Sequence, residues 1–131
     1  MIFLDTSAIY AWADAADANH LTAVQRLQAA LDADEDLLTH NYVLVEALAL
    51  LQSRLGVAAA LKLAKDSAAF VVQWVDDDLH AAGIRELERS RKRHLSLVDH
   101  ISFAVMRRRG VSIAFAFDPD FRSAGFTLFQ P

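Results

Sequence analysis

An apolar run that ends in an acid occurs twice in this chain, and no other feature restricts the fold so sharply. Ile2-Phe3-Leu4 leads into Asp5, followed by the hydroxyl residues Thr6 and Ser7, and Val111 to Phe117 leads into Asp118-Pro119-Asp120. Runs of this kind suit a buried strand, and the residues that follow them suit a turn or a helix start. A parallel strand of that type delivers a carboxylate to the rim of its sheet. In open α/β sheets the functional crevice lies outside the carboxyl ends of the strands, where the strand order reverses. The plainer role for Asp5 is to cap the short helix that starts near Ser7.

Between these two runs, strand and helix patterns alternate. A short helix is expected over Ala8 to Ala13. Leu21, Val24, Leu27 and Leu31 recur at helical spacing and give an amphipathic helix, followed by a short strand at Leu37 to Thr39. Asn41 to Leu55 reads as a helix closed by Gly56, and Val57 to Ser67 as a further helix. Phe70 to Val75 is the third strand. Asp76-Asp77-Asp78 after it could imitate a metal cluster, but better suits the N-cap and first turn of a helix over Leu79 to Arg91. A last long helix ends at Arg109 before Gly110, Val111 to Phe117 is the fourth strand, and Phe126 to Phe129 is an edge strand. The alternation predicts a three-layer α/β/α domain with a parallel sheet of about five strands. No repeat, linker or low-complexity tract divides the chain, so residues 1–131 are expected to form a single domain.

Composition narrows the chemistry. The chain has 54% hydrophobic and 23% charged residues and no cysteine, which excludes disulfides and thiolate zinc sites and permits a reducing cytoplasm. No apolar stretch is long enough to span a bilayer and no basic leader precedes the first strand, so a cytoplasmic protein without membrane contact is expected. The net charge of -4 argues against general polyanion binding. Yet residues 1–78 hold twelve acids against four bases, while residues 79–131 hold five acids against nine bases. Arg91, Lys92 and Arg93 therefore form a local basic patch able to grip a phosphate backbone, whereas Arg107 to Arg109 suit the negative end of their own helix.

Two further acids stand out. Glu46 has Tyr42, Val43, Ala49 and Leu50 at the neighbouring helical positions, so it is expected to be largely buried, and a buried carboxylate needs a partner or a metal. Ser96-x-x-Asp99 has the spacing of a capping box, and a first-turn acid also projects from the helix end where a site can lie. If Asp5, Glu46, Asp99 and Asp118 meet in one crevice, their like charges require raised pKa values or a cation. All-oxygen ligands favour Mg²⁺ or Mn²⁺ over zinc, and carboxylate-held Mg²⁺ is usual in phosphodiester hydrolysis. The five histidines are scattered, and none is expected to be catalytic.

The segments Phe3-Leu4-Asp5-Thr6-Ser7-Ala8, Tyr42-Val43-Leu44-Val45-Glu46, Ser96-Leu97-Val98-Asp99 and Phe117-Asp118-Pro119-Asp120-Phe121 with Gly125-Phe126, in that order, resemble the PIN-domain family. Within it they resemble the VapC toxins of bacterial type II toxin–antitoxin systems. The resemblance implies strand order 3-2-1-4-5 and a metal-dependent endoribonuclease. It implies that Asp5, Glu46, Asp99 and Asp118 are the acidic quartet, with Asp5 and Asp99 as direct ligands of Mg²⁺ or Mn²⁺ and the Thr6 and Ser7 hydroxyls in support. It further implies an RNA substrate, a cognate antitoxin and a homodimer.

One position departs from the pattern. Many relatives carry Thr or Ser two residues before the fourth acid, where this chain has Ala116, so Asp120 could share or take the role of Asp118. A PIN-like binding module without activity is the alternative function. A phosphotransfer receiver would need a lysine after its last strand, and no lysine lies beyond Lys92; a haloacid-dehalogenase-like phosphatase would need an acid where Ser7 stands.

Overall fold

The computed structural model describes residues 1–131. Five strands, β1 (Ile2–Leu4), β2 (Leu37–His40), β3 (Val71–Gln73), β4 (Ile113–Phe115) and β5 (Thr127–Leu128), form one wholly parallel sheet in the order β3-β2-β1-β4-β5. Seven helices accompany them: α1 (Thr6–Ala13), α2 (His20–Asp32), α3 (Asn41–Leu55), α4 (Val57–Asp66), α5 (Asp77–Ser90), α6 (Leu97–Arg109) and α7 (Asp120–Ser123). Successive side chains on a strand point to opposite faces. Ile2, Phe3 and Leu4 are all buried, so both faces of the central strand are covered and the architecture has three layers. This is the expected fold class and strand order.

The chain builds one wing of the sheet, from β1 out to β3, and then crosses to β4 on the other side of β1. The reversal therefore falls between β1 and β4, whose paired residues Leu4 and Phe115 stand just before the two rim segments. The expected caps are present. Asp76 Oδ1 accepts from the Leu79 amide at 2.8 Å, which gives the acidic triplet its structural use, and Gly110 ends α6 in the left-handed conformation at φ 65°. Where α5 crosses α6 there is no room for a side chain: a Cβ on Gly83 would lie 2.4 Å from Ile101 Cδ1 and 3.0 Å from Leu97 Cδ1.

Some boundaries differ from expectation. β3 stops at Gln73, because the Val75 amide leaves the ladder to donate to Asn41 Oδ1 at 2.7 Å and Trp74 turns to solvent. β4 stops at Phe115, because the Phe117 amide donates to Ser7 Oγ at 3.0 Å. α2 buries Ala23 and Ala30, with Leu27 packed on the core, while Leu21, Val24 and Leu31 are exposed. Small residues let α2 approach closely, so the larger apolar stripe is rotated outward. No helix is long and apolar enough to cross a membrane.

Candidate active site

Asp5 is the N-cap of α1 and lies where β1 and β4 diverge. Its Oδ2 accepts from the Ser7 amide at 3.1 Å and from Ser7 Oγ at 2.6 Å. Ser7 Oγ in turn accepts from the Phe117 amide, so one hydroxyl ties the exit of β4 to the carboxylate ending β1. Capping and site building are thus one arrangement here. Burial raises the Asp5 pKa from 3.8 to about 6; the Ser7 bonds oppose that rise and the charge of Asp99 adds to it.

Asp99 is held by a complete capping box at the start of α6. Its Oδ2 accepts from the Ser96 amide at 2.8 Å and from Ser96 Oγ at 3.1 Å, and its own amide donates to Ser96 Oγ. Burial raises its pKa and the charge of Asp118 raises it further, against the two Ser96 bonds. Asp118 Oδ1 accepts from the Asp120 amide at 2.9 Å. The Asp120 pKa is raised by burial and then by Asp118, while His94, whose Nε2 lies 3.6 Å from Asp120 Oδ1, works in the opposite direction. Asp5, Asp99, Asp118 and Asp120 thus form a chain of mutually repelling carboxylates along the rim. None of Asp5, Glu46, Asp99 or Asp118 is paired with a base.

Glu46 departs from expectation. It is half-buried rather than largely buried, and it makes no hydrogen bond or ion pair. α3 buries Val43, Ala47 and Leu51, and that face lies to one side of Glu46. Of the expected quartet, Asp99 acts on Asp5 and Asp118 on Asp99, with Asp120 as a neighbour, while Glu46 has no polar contact with any of them.

No three His, Asp or Glu side chains are gathered tightly enough to hold a metal ion. The hydrogen bonds explain the spacing, since Asp5 is turned onto Ser7 and Asp99 onto Ser96. The donor set nonetheless suits a hard divalent cation: it is all oxygen, it includes a buried carboxylate without a counter-charge, and Thr6 Oγ1 beside it is buried with no hydrogen-bond partner. The two expected supporting hydroxyls therefore differ, Ser7 being fully engaged and Thr6 free. Ala116 is buried, and in place of a hydroxyl there the Ser7–Phe117 and Asp120–Asp118 bonds fix the segment carrying Asp118.

Sequence reasoning missed His40 and Ser102. The buried His40 ring caps α3, its Nδ1 accepting from the Val43 amide at 3.3 Å, so Nε2 carries the proton and donates to Ser102 Oγ at 2.8 Å. Ser102 Oγ then donates to the Val98 carbonyl, which joins β2 to the first turns of α6 behind Asp99. Burial lowers the His40 pKa to about 4 and keeps the ring neutral. A histidine before a helix carries no spacing signal that would reveal this role. Arg91, Lys92 and Arg93 are exposed on and beside the left-handed C-cap of α5.

A doubly covered parallel sheet with carboxylates at its reversal point places the chain in a known class: it belongs to the PIN domain family, whose model matches residues 2–127. Within that family it is similar to the 23S rRNA-specific endonuclease VapC20 of Mycobacterium tuberculosis, with 42% identity over 133 residues spanning 100% of this chain and 99% of that protein. The crystal structure of Mycobacterium tuberculosis VapC20, described as a Sarcin-Ricin loop cleaving toxin, superposes with a TM-score of 0.85 at 40% identity, covering 97% of each chain. FitAcB from Neisseria gonorrhoeae shares the fold, with a TM-score of 0.67 at 19% identity over 100% of this chain and 98% of that one.

Proposed function

We propose that this chain, as a single PIN domain over residues 1–131, is a Mg²⁺- or Mn²⁺-dependent endoribonuclease and the toxin of a cytoplasmic type II toxin–antitoxin pair. The observation that carries the reading is Asp5: a carboxylate buried at the reversal of the sheet, unpaired with any base and within the influence of Asp99. Folding a charge into that position is costly unless a cation joins it. The similarity to VapC20 supports an RNA target, and we propose the sarcin–ricin loop of 23S rRNA as the substrate.

In this reading Asp5 and Asp99 hold the ion. Asp118, with Asp120, completes the set from the β4 side, and Glu46 either joins it or orients the attacking water. A divalent ion would supply polarisation of the scissile phosphate and a lowered pKa for water. Ser7 keeps the Asp5 carboxylate in one orientation, and Ser96 does the same for Asp99. Attack by water leaves a 5′ phosphate and does not use the ribose 2′-OH. A cognate antitoxin and a second copy of the chain are the proposed protein partners, and exposed Leu21, Val45, Leu61 and Trp74 offer apolar surface for them.

The test incubates the protein with a hairpin RNA carrying the sarcin–ricin loop in Mg²⁺, in Mn²⁺ and in EDTA, and measures Mn²⁺ binding separately by calorimetry. We expect metal-dependent cleavage with 5′-phosphate products, and loss of both cleavage and Mn²⁺ binding in Asp5→Asn. Cleavage unchanged in EDTA, or in Asp5→Asn, would sink the reading. The second reading, a PIN-like protein-binding module without activity, draws on Ala116 and on the absence of a preformed trio of ligands. Mn²⁺ binding without cleavage of any RNA would favour it.

A further inference from the structure

A polar cavity adjoins the acidic rim. It has a volume of about 150 Å³ and lies between the end of α5, the loop after it, α6 and α7, and its walls include Arg89, Lys92, His94, Phe103, Arg107 and Asp120. Asp120 links it to the rim, because its amide bonds Asp118 while its carboxylate faces His94.

The charges of this cavity do not cancel. Arg89 is committed to Glu86, with contacts at 2.6 Å and 3.1 Å, so that pair is neutral. His94 stands opposite Asp120. Lys92 and Arg107 have no acidic partner. Arg107 is also pre-positioned: its guanidinium lies 5.9 Å from the Phe103 ring and 5.3 Å from the Phe126 ring, and it donates to the Ala124 carbonyl at 3.3 Å. A guanidinium has five N–H donors, and this one uses a single protein acceptor. The cavity is smaller than the roughly 300 Å³ at which small-molecule pockets begin, which suits one phosphate group rather than a whole ligand.

We infer that this cavity binds a backbone phosphate of the RNA strand flanking the scissile bond, with Lys92 and Arg107 as its charged ligands. The inference rests on the endoribonuclease reading for the identity of the strand. It also sharpens the basic patch legible in the sequence: of Arg91, Lys92 and Arg93, only Lys92 lines the cavity, and its partner comes from α6, outside the patch.

The test is a fluorescence-anisotropy titration of a labelled hairpin RNA and of an unrelated single strand, in EDTA so that neither is cut, at several salt concentrations. Lys92→Ala and Arg107→Gln should each weaken binding of both RNAs roughly three- to tenfold and lower the slope of log affinity against log salt by about one. Lys65→Ala, an exposed cation on α4 outside the cavity and the patch, should change affinity less than about twofold. Lys92 is on an exposed loop, so its variant tests the idea even if Arg107→Gln folds poorly. RNA affinity unchanged in Lys92→Ala overturns the inference, whether or not the cavity takes up inorganic phosphate. So does equal loss in the Lys65 variant. Cleavage by the wild type together with unchanged affinity in Lys92→Ala would leave the nuclease reading standing alone. Binding lost as expected in a wild type that never cuts RNA would do the reverse.

Discussion

The helix that starts at Leu97 and the helix that starts at Asn41 each carry one acid expected at the site, and they treat it in opposite ways. In α6 the acid belongs to the helix start itself, where Asp99 exchanges hydrogen bonds with Ser96 and its pKa is raised by burial. In α3 the cap is supplied by His40, and Glu46, farther along, makes no hydrogen bond at all. Asp5 follows the α6 pattern, as a cap whose orientation is set by Ser7. Bonds that complete a helix end can therefore also hold a carboxylate in a position it would otherwise avoid. A carboxylate in mid-helix, without such bonds, keeps its freedom.

The sharpest way to break this comparison is by activity. Asp5→Asn and Asp99→Asn should each lower the rate of RNA cleavage about a thousandfold, and Glu46→Gln about tenfold, in single-turnover assays. Equal losses at all three positions would erase the distinction between fastened and free acids.

The next effect is on stability in EDTA, where two buried groups oppose one another. Asp5 has a folded pKa near 6 against 3.8 when exposed, so its ionised form penalises the fold above pH 6, and that penalty fades as pH falls towards 4. His40 has a folded pKa near 4 against 6.5, so the fold loses stability over a similar range as pH falls. Between these limits the two contributions work against each other. Asp5→Asn should be more stable than wild type at pH 7 by up to about 3 kcal/mol, a gain that disappears by pH 4, as measured by urea unfolding. A pH-independent difference would mean that burial does not govern Asp5.

Mn²⁺ at about a hundred times its Kd should raise the stability of the wild type at pH 7 by about 2.7 kcal/mol in thermal melts, and should not raise that of Asp5→Asn. Gly83→Ala should cost about 1–3 kcal/mol, because a methyl group there meets Ile101 in the α5–α6 contact. Smallest, Asp99→Ala should cost about 1 kcal/mol as a lost cap, while Glu46→Ala should stay within about 0.5 kcal/mol. A larger loss at Glu46 would show that it is held after all.

The alternation of strand and helix, the caps at Asp76 and Ser96 and the stop at Gly110 were legible because each is a short-range pattern with a local cause. The strand order came from family resemblance, since local patterns do not say which strands adjoin. Glu46 looked buried because its neighbours are apolar, yet of those four only Val43 is buried and Ala49 is exposed, so apolar flanks do not cover it. The Leu21, Val24 and Leu31 stripe misled in the same sense, because close approach selects small residues rather than large ones. Lys92, Arg107 and Asp120 come from separate parts of the chain, so no window of sequence shows their cavity.

The bond from Phe117 to Ser7 joins residues 110 positions apart. A nascent polypeptide cannot close it, nor pair β1 with β4, until the segment beyond Asp118 has emerged from the ribosome. Long-range pairing of that kind forms late and slowly. The carboxylate rim is therefore completed only once the segment around Asp118 is free to pair beside β1.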